Sequence, residues 1–154
     1  MENPESGEVA VLPPSFDNPF LTLLGVQSEH LGPGTASTIL EHRDCHSNMH
    51  GAVHGGVIMT LLDTTMARAA MSKHGFRSSV VSIGVTVTFV RPGRGRLTTT
   101  ARVTGGGKST CFCEGDVVDQ NGDLVAKALG TFKYQNPPGS QSITGGVSNA
   151  ELVE

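Results

Sequence analysis

From Gly55 to Ser72 the chain runs for about five helical turns with only two charged residues, Asp63 and Arg68. Ala, Leu and Met dominate the stretch, as expected of a helix. At about 100° per residue, Leu61, Thr65, Ile58, Ala69, Leu62, Met66, Met59 and Ala70 fall on one arc of about half a turn, with Asp63 at its edge. A helix this apolar must be covered on most sides, so the rest of the chain has to supply the cover. Asp63 and Arg68 point roughly 140° apart, so a salt bridge along the helix does not account for the carboxylate.

The cover is legible as strands. Val80 to Val90 alternates, with Val81, Ile83, Val85, Val87 and Phe89 on one side and Ser82, Gly84, Thr86 and Thr88 on the other. Arg91-Pro92-Gly93-Arg94-Gly95 turns it into Leu97 to Val103, and Gly105-Gly106-Gly107-Lys108 turns that into Thr110 to Val118. Asn121-Gly122, a strong hairpin signal, leads into Leu124 to Tyr134. Upstream, Val26 to Leu31 and Thr35 to His42 flank Gly32-Pro33-Gly34 as a first hairpin, and Asp17-Asn18-Pro19 starts a short helix that Gly25 stops. The prediction is an α+β domain in which about six antiparallel strands curl around a long central helix. Residues 1–15 are expected to be a flexible lead, 16–134 the single domain, and 135–154, rich in Pro, Gly, Ser and Asn, a disordered tail.

Composition removes several classes of function. A net charge of −3 with no basic run argues against a nucleic-acid or anionic-membrane surface. No apolar stretch reaches the roughly 18 residues that span a bilayer. The N-terminus is acidic and unlike a signal peptide, and Cys45, Cys111 and Cys113 make an odd set and not a disulfide framework, so a cytoplasmic location is expected.

Chemistry concentrates just ahead of the helix, in Asn48-Met49-His50-Gly51-Ala52-Val53-His54-Gly55-Gly56, with Asp63 two turns on. Glycines at a helix start leave its first amides uncovered at the positive end of the dipole, where a carbonyl oxygen or anion can bind. The pattern Asn48-x-x-Gly51-x-x-His54-Gly55-Gly56 followed by Asp63 resembles the signature of hot-dog acyl-CoA thioesterases of the PaaI-like subgroup. The likeness continues through Ser82 to Pro92, through Gly107-Lys108-Ser109, and through Gly122 to Ala126 with Gly130-Thr131-Phe132, covering residues 20 to 134 or so.

That resemblance implies hydrolysis of an acyl-CoA thioester to a carboxylic acid and CoA. The Gly55 amide would stabilise the oxyanion, Asn48 and His54 would hold substrate and leaving group, Asp63 would act as general base or as nucleophile, and Ser82 would orient the attacking water. It implies a homodimer with shared active sites, the carboxylate coming from the subunit opposite the oxyanion donor, and a dimer of dimers beyond it. No cofactor is expected, coenzyme A being part of the substrate. Arg91 and the Gly107-Lys108-Ser109 turn are candidates for its phosphates, and Met59 and Met66 for the acyl pocket. A non-catalytic acyl-CoA or aromatic-ligand binder on the same fold is the rival reading; hot-dog dehydratases fit less well, typically carrying histidine where Asp63 stands. His42, His46, His50 and His54 recur every fourth residue near Cys45, but the intervening Asn and Gly break any shared helical face, so no metal is expected.

Overall fold

The computed structural model describes residues 18–135, so the expectations for residues 1–15 and 135–154 lie outside the described residues, except at Gln135, which ends the last strand and not a disordered tail. In chain order it builds α1 (Pro19–Leu24), β1 (Gln27–Gly32), β2 (Thr35–Glu41), a 3₁₀ turn (Asp44–His46), α2 (Gly55–Ser72), β3 (Ser79–Phe89), β4 (Arg96–Gly106), β5 (Thr110–Val118) and β6 (Leu124–Gln135). Asn18 caps α1, its Oδ1 accepting from the amides of Phe20 and Leu21, and Gly25 ends it at φ 75°.

The six strands form one antiparallel sheet in the order β1-β2-β4-β5-β6-β3, and α2 lies in its concave face. Leu61, Leu62, Met66, Ala69 and Ala70 of the helix pack against Leu40, Leu97, Val117, Val125 and Phe132 of the sheet, all of them buried. This is the hot-dog fold that the sequence predicts. Thr65, the polar member of the predicted arc, is buried with its hydroxyl donating to Leu61 O at 2.6 Å and lying 2.8 Å from Thr38 Oγ1 on β2. Two members of the pattern behave differently from expectation. Met59 stays 45 % exposed at the margin of the sheet, whereas Arg68, off the arc, is buried.

β3 departs from simple alternation. A bulge lies between Ser82 and Gly84, so Ser82 pairs with Phe132 and Gly84 with Thr131, while Ile83 has no partner and is 59 % exposed. The extra residue resets the phase of the strand. Val80 and Ser82 face the helix before it and Val85 and Val87 after it, so Ser82 shares the inner face with Val85 and Val87, and Val81 does not.

The two sheet edges differ in character. β1 begins Gln27-Ser28-Glu29-His30, all exposed, and is interrupted by its own bulge, both of which discourage pairing with another chain. β3 is the other edge; Val81, Ile83, Phe89 and the adjoining Val90 are 40–59 % exposed along it.

Candidate active site

The loop that leads into α2 is built by its own side chains. Asn48 Oδ1 accepts from the amides of His50 (2.9 Å) and Ala52 (3.2 Å), and Gly51 takes φ 68° to close the turn. Both acceptor sites of Asn48 are thus spent on the loop, and its Nδ2 makes no hydrogen bond among the described residues. Beneath the loop lies His46, fully buried. Its Nδ1 accepts from the Arg43 amide at 3.1 Å, and its carbonyl accepts from the His54 amide at 2.7 Å. Burial, reinforced by the Arg43 guanidinium, pulls the pKa of His46 below the usual imidazole value, so the ring sits there neutral.

His54 is the N-cap of α2. Its Nδ1 accepts from the Gly56 amide at 2.9 Å, and its carbonyl accepts from Val57 and Ile58. Three of the four amides that open the helix are therefore satisfied. The fourth, Gly55 N–H, has no acceptor among the described residues. A Cβ on Gly55 would lie 3.4 Å from the Phe89 ring, so that ring packs beside the helix start. Asn48, Gly55, Phe89 and Arg91 line a common cleft of about 410 Å³.

Asp63 opens elsewhere. Its Oδ1 accepts from Ser82 Oγ at 2.6 Å, a contact made possible by the bulge that turns Ser82 inward. With Met59 and Gly56 it lines a second cleft, of about 530 Å³. One protomer thus brings Asp63, Ser82 and Met59 together, and separately Asn48, Gly55 and Arg91.

The remaining predicted residues are dispersed. Met66 does not join Met59: it is fully buried with its side chain under Gly115 and Gly130, because it lies on the sheet-facing side of α2. Arg91 makes a 3.1 Å ion pair with Asp123, both half-exposed. Gly107, Lys108 and Ser109 are exposed at the far end of the sheet, where Ser109 O accepts from Tyr134 N. Phe89, two residues before Arg91, pairs with Ala126; eight residues of β6 separate that pairing from Tyr134, roughly 26 Å. Arg91 and Lys108 of one protomer therefore cannot hold the same phosphate. As for the histidine series, His42 bonds Ser47, His46 is buried, and His50 and His54 are exposed; among the described residues no three His, Cys, Asp or Glu converge to hold a metal. No helix among the described residues is long and apolar enough to cross a membrane.

Sequence reasoning did not foresee three features of the site: the buried His46 under the loop, the Ile83 bulge, and the burial of Arg68. Only Arg68 left a signal, as an isolated charge in an apolar helix.

Comparison with known proteins matches residues 50–126 to a family model described as the thioesterase superfamily. A protein of Halobacterium salinarum, provisionally named an esterase, is 29 % identical over 143 residues, covering 84 % of this chain and 94 % of its own. Among solved structures, a conserved protein of Pseudomonas aeruginosa is 31 % identical with a TM-score of 0.74, covering 77 % of this chain and 94 % of that one. The E. coli PaaI protein from the phenylacetic acid degradation operon is 28 % identical, also with a TM-score of 0.74, over 79 % of this chain and 87 % of that one.

Proposed function

This chain belongs to the thioesterase superfamily, as a PaaI-like member with the hot-dog fold, and from that premise we propose that it hydrolyses acyl-CoA thioesters. The observation that carries the reading is the Gly55 amide, without an acceptor among the described residues at the positive end of α2. An acyl oxygen placed there gains a hydrogen bond that strengthens as negative charge develops on it, worth about 2.7–4 kcal/mol for one such donor.

Asp63 supplies the base. Ser82 holds Oδ1, leaving Oδ2 to take a proton from water. The water oxygen bonds to the acyl carbon, the C–S bond breaks, and the proton on Asp63 passes to the departing CoA sulfur. His54 contributes by fixing the helix start, and Asn48 by presenting Nδ2 to the substrate.

Oxyanion donor and base line different clefts, and two copies of the chain would join them. The long, apolar, unpaired edge of β3 suits pairing with the same edge of a second copy, which sets the Asp63 cleft of each protomer against its partner. Antiparallel pairing would also bring Lys108 of one protomer toward the Arg91 end of the other.

Thiol release from a panel of short-chain, long-chain and aromatic acyl-CoAs tests the activity. In the folded protein Asp63→Asn should lower turnover at least about a hundredfold, the low end for loss of a general base. Saturable acyl-CoA binding with no thiol released would establish a binding protein instead.

A further inference from the structure

Among the described residues, Arg68 is a buried cation with no ion-paired carboxylate. Its residue exposure is 8 %, its Nη1 is buried without a hydrogen-bond partner, and none of its atoms makes a hydrogen bond or ion pair among the described residues. A guanidinium does not deprotonate to escape this situation, so it remains charged and unpaired. Leaving a buried charge unpaired is strongly unfavourable, and natural interiors pair such groups.

Its position suggests what completes it. Arg68 lines a cavity of about 220 Å³ that also touches Asp63 and Ser82, and Leu21, Met71 and Val80 supply apolar wall. Asp63 lies five residues earlier on α2, about 7.5 Å back along the axis, and its Oδ1 is engaged by Ser82. The cavity therefore combines the base and its serine, a methylene-compatible wall, and an unsatisfied cation five residues further along α2. Its volume is far too small for the nucleotide part of coenzyme A, so the phosphates are not what Arg68 meets.

We infer that Arg68 binds a carboxylate at the distal end of the acyl group, which makes the preferred substrates CoA monothioesters of dicarboxylic acids. The inference rests on the thioesterase reading above and narrows it to an acyl class. A planar guanidinium binds a carboxylate through two parallel hydrogen bonds. A neutral acyl chain of equal length leaves the cation as unpaired as before, which penalises that substrate in the same stroke.

The test compares matched pairs on wild-type protein: succinyl-, glutaryl-, adipyl- and suberyl-CoA against butyryl-, valeryl-, hexanoyl- and octanoyl-CoA. For at least one chain length kcat/KM should favour the acid by at least about a hundredfold, the discrimination available to a site built around a buried polar group. Arg68→Met should abolish that preference while keeping neutral substrates within about threefold of wild type or improving them, since the unpaired charge is gone. Arg68→Lys, which keeps the charge without the fork and guards against misfolding of the methionine variant, should retain an intermediate preference. Calorimetry with the free dicarboxylates should show binding to wild type that Arg68→Met loses. Neutral thioesters hydrolysed with an acid-to-neutral ratio unaltered by Arg68→Met would overturn the inference and leave the thioesterase reading intact. So would loss of dimer in Arg68→Met with both substrate classes falling equally, which would make a second copy the partner of Arg68. Absence of thiol release from every thioester, with dicarboxylate binding still dependent on Arg68, would overturn the thioesterase reading and uphold the anion site.

Discussion

Gly55 offers a substitution that separates the amide from everything else the residue does. It occupies the first position of α2, where proline is well tolerated because that N–H has no intrahelical acceptor. His54 before it has φ −59° and ψ 139°, the extended conformation that a following proline demands. Gly55→Pro therefore deletes one hydrogen atom from the proposed oxyanion site at little cost to the helix. Turnover should fall about 10²- to 10³-fold while the thermal midpoint stays close to wild type; a variant of undiminished kcat would remove Gly55 from the mechanism. The placement of Asn48, Gly55 and Asp63 around the start of α2 is legible in the sequence because their spacing is tied to a helix start that the glycines announce. The burial of Arg68 is not, since which side of a helix is covered depends on where α1 and β3 settle. Met66 erred for a related reason: a helix arc of half a turn includes both its sheet-facing centre and its margin, and only the margin meets a cleft.

At the scale of elements, boundaries were read closely, α2 to its first and last residue, because Gly and Pro punctuate nearly every strand. The phase of β3 was misread beyond one residue. Alternation in sequence cannot reveal a bulge when the inserted residue is itself apolar, and Ile83 fits either side of the pattern. The consequence is functional, because without the bulge Ser82 and Val85 could not face α2 together. A second link between elements is testable by stability alone. Thr65 and Thr38 satisfy each other between α2 and β2 with no exposure. Thr65→Val should cost about 1–3 kcal/mol by orphaning the Thr38 hydroxyl, and adding Thr38→Val should recover much of the loss. Chemical denaturation of the two single variants and the double variant measures this directly; additive losses would mean the two hydroxyls are not coupled.

For the whole molecule, the proposed mechanism makes catalysis a property of the pair. Neither Asp63→Asn nor Gly55→Pro homodimers should turn over appreciably, yet mixing the two by unfolding and refolding together creates heterodimers in which one site has both groups intact. Statistical pairing would restore about a quarter of wild-type activity. Mixtures no more active than their components would place base and donor in the same protomer. Against that background the difference between the two sheet edges matters: a polar substitution spread along β1 should leave the assembly alone, whereas Ile83 and Val81 lie where a second copy would approach.

The order of strands also sets an order in time. Every pairing of β3 with β6, from Ser79 with Gln135 to Phe89 with Ala126, closes a loop that contains all of β4 and β5, whereas β4, β5 and β6 join through short turns. Loop closure of that length costs entropy before its contacts are gained, so β3 is expected to dock after β4, β5 and β6 have joined. Ser82 travels with it. A chain in which β4, β5 and β6 have joined without β3 has no wall opposite Asp63, and its β6 edge lies bare. During folding this protein is most prone to pair wrongly with its neighbours in the interval before its chemistry is assembled.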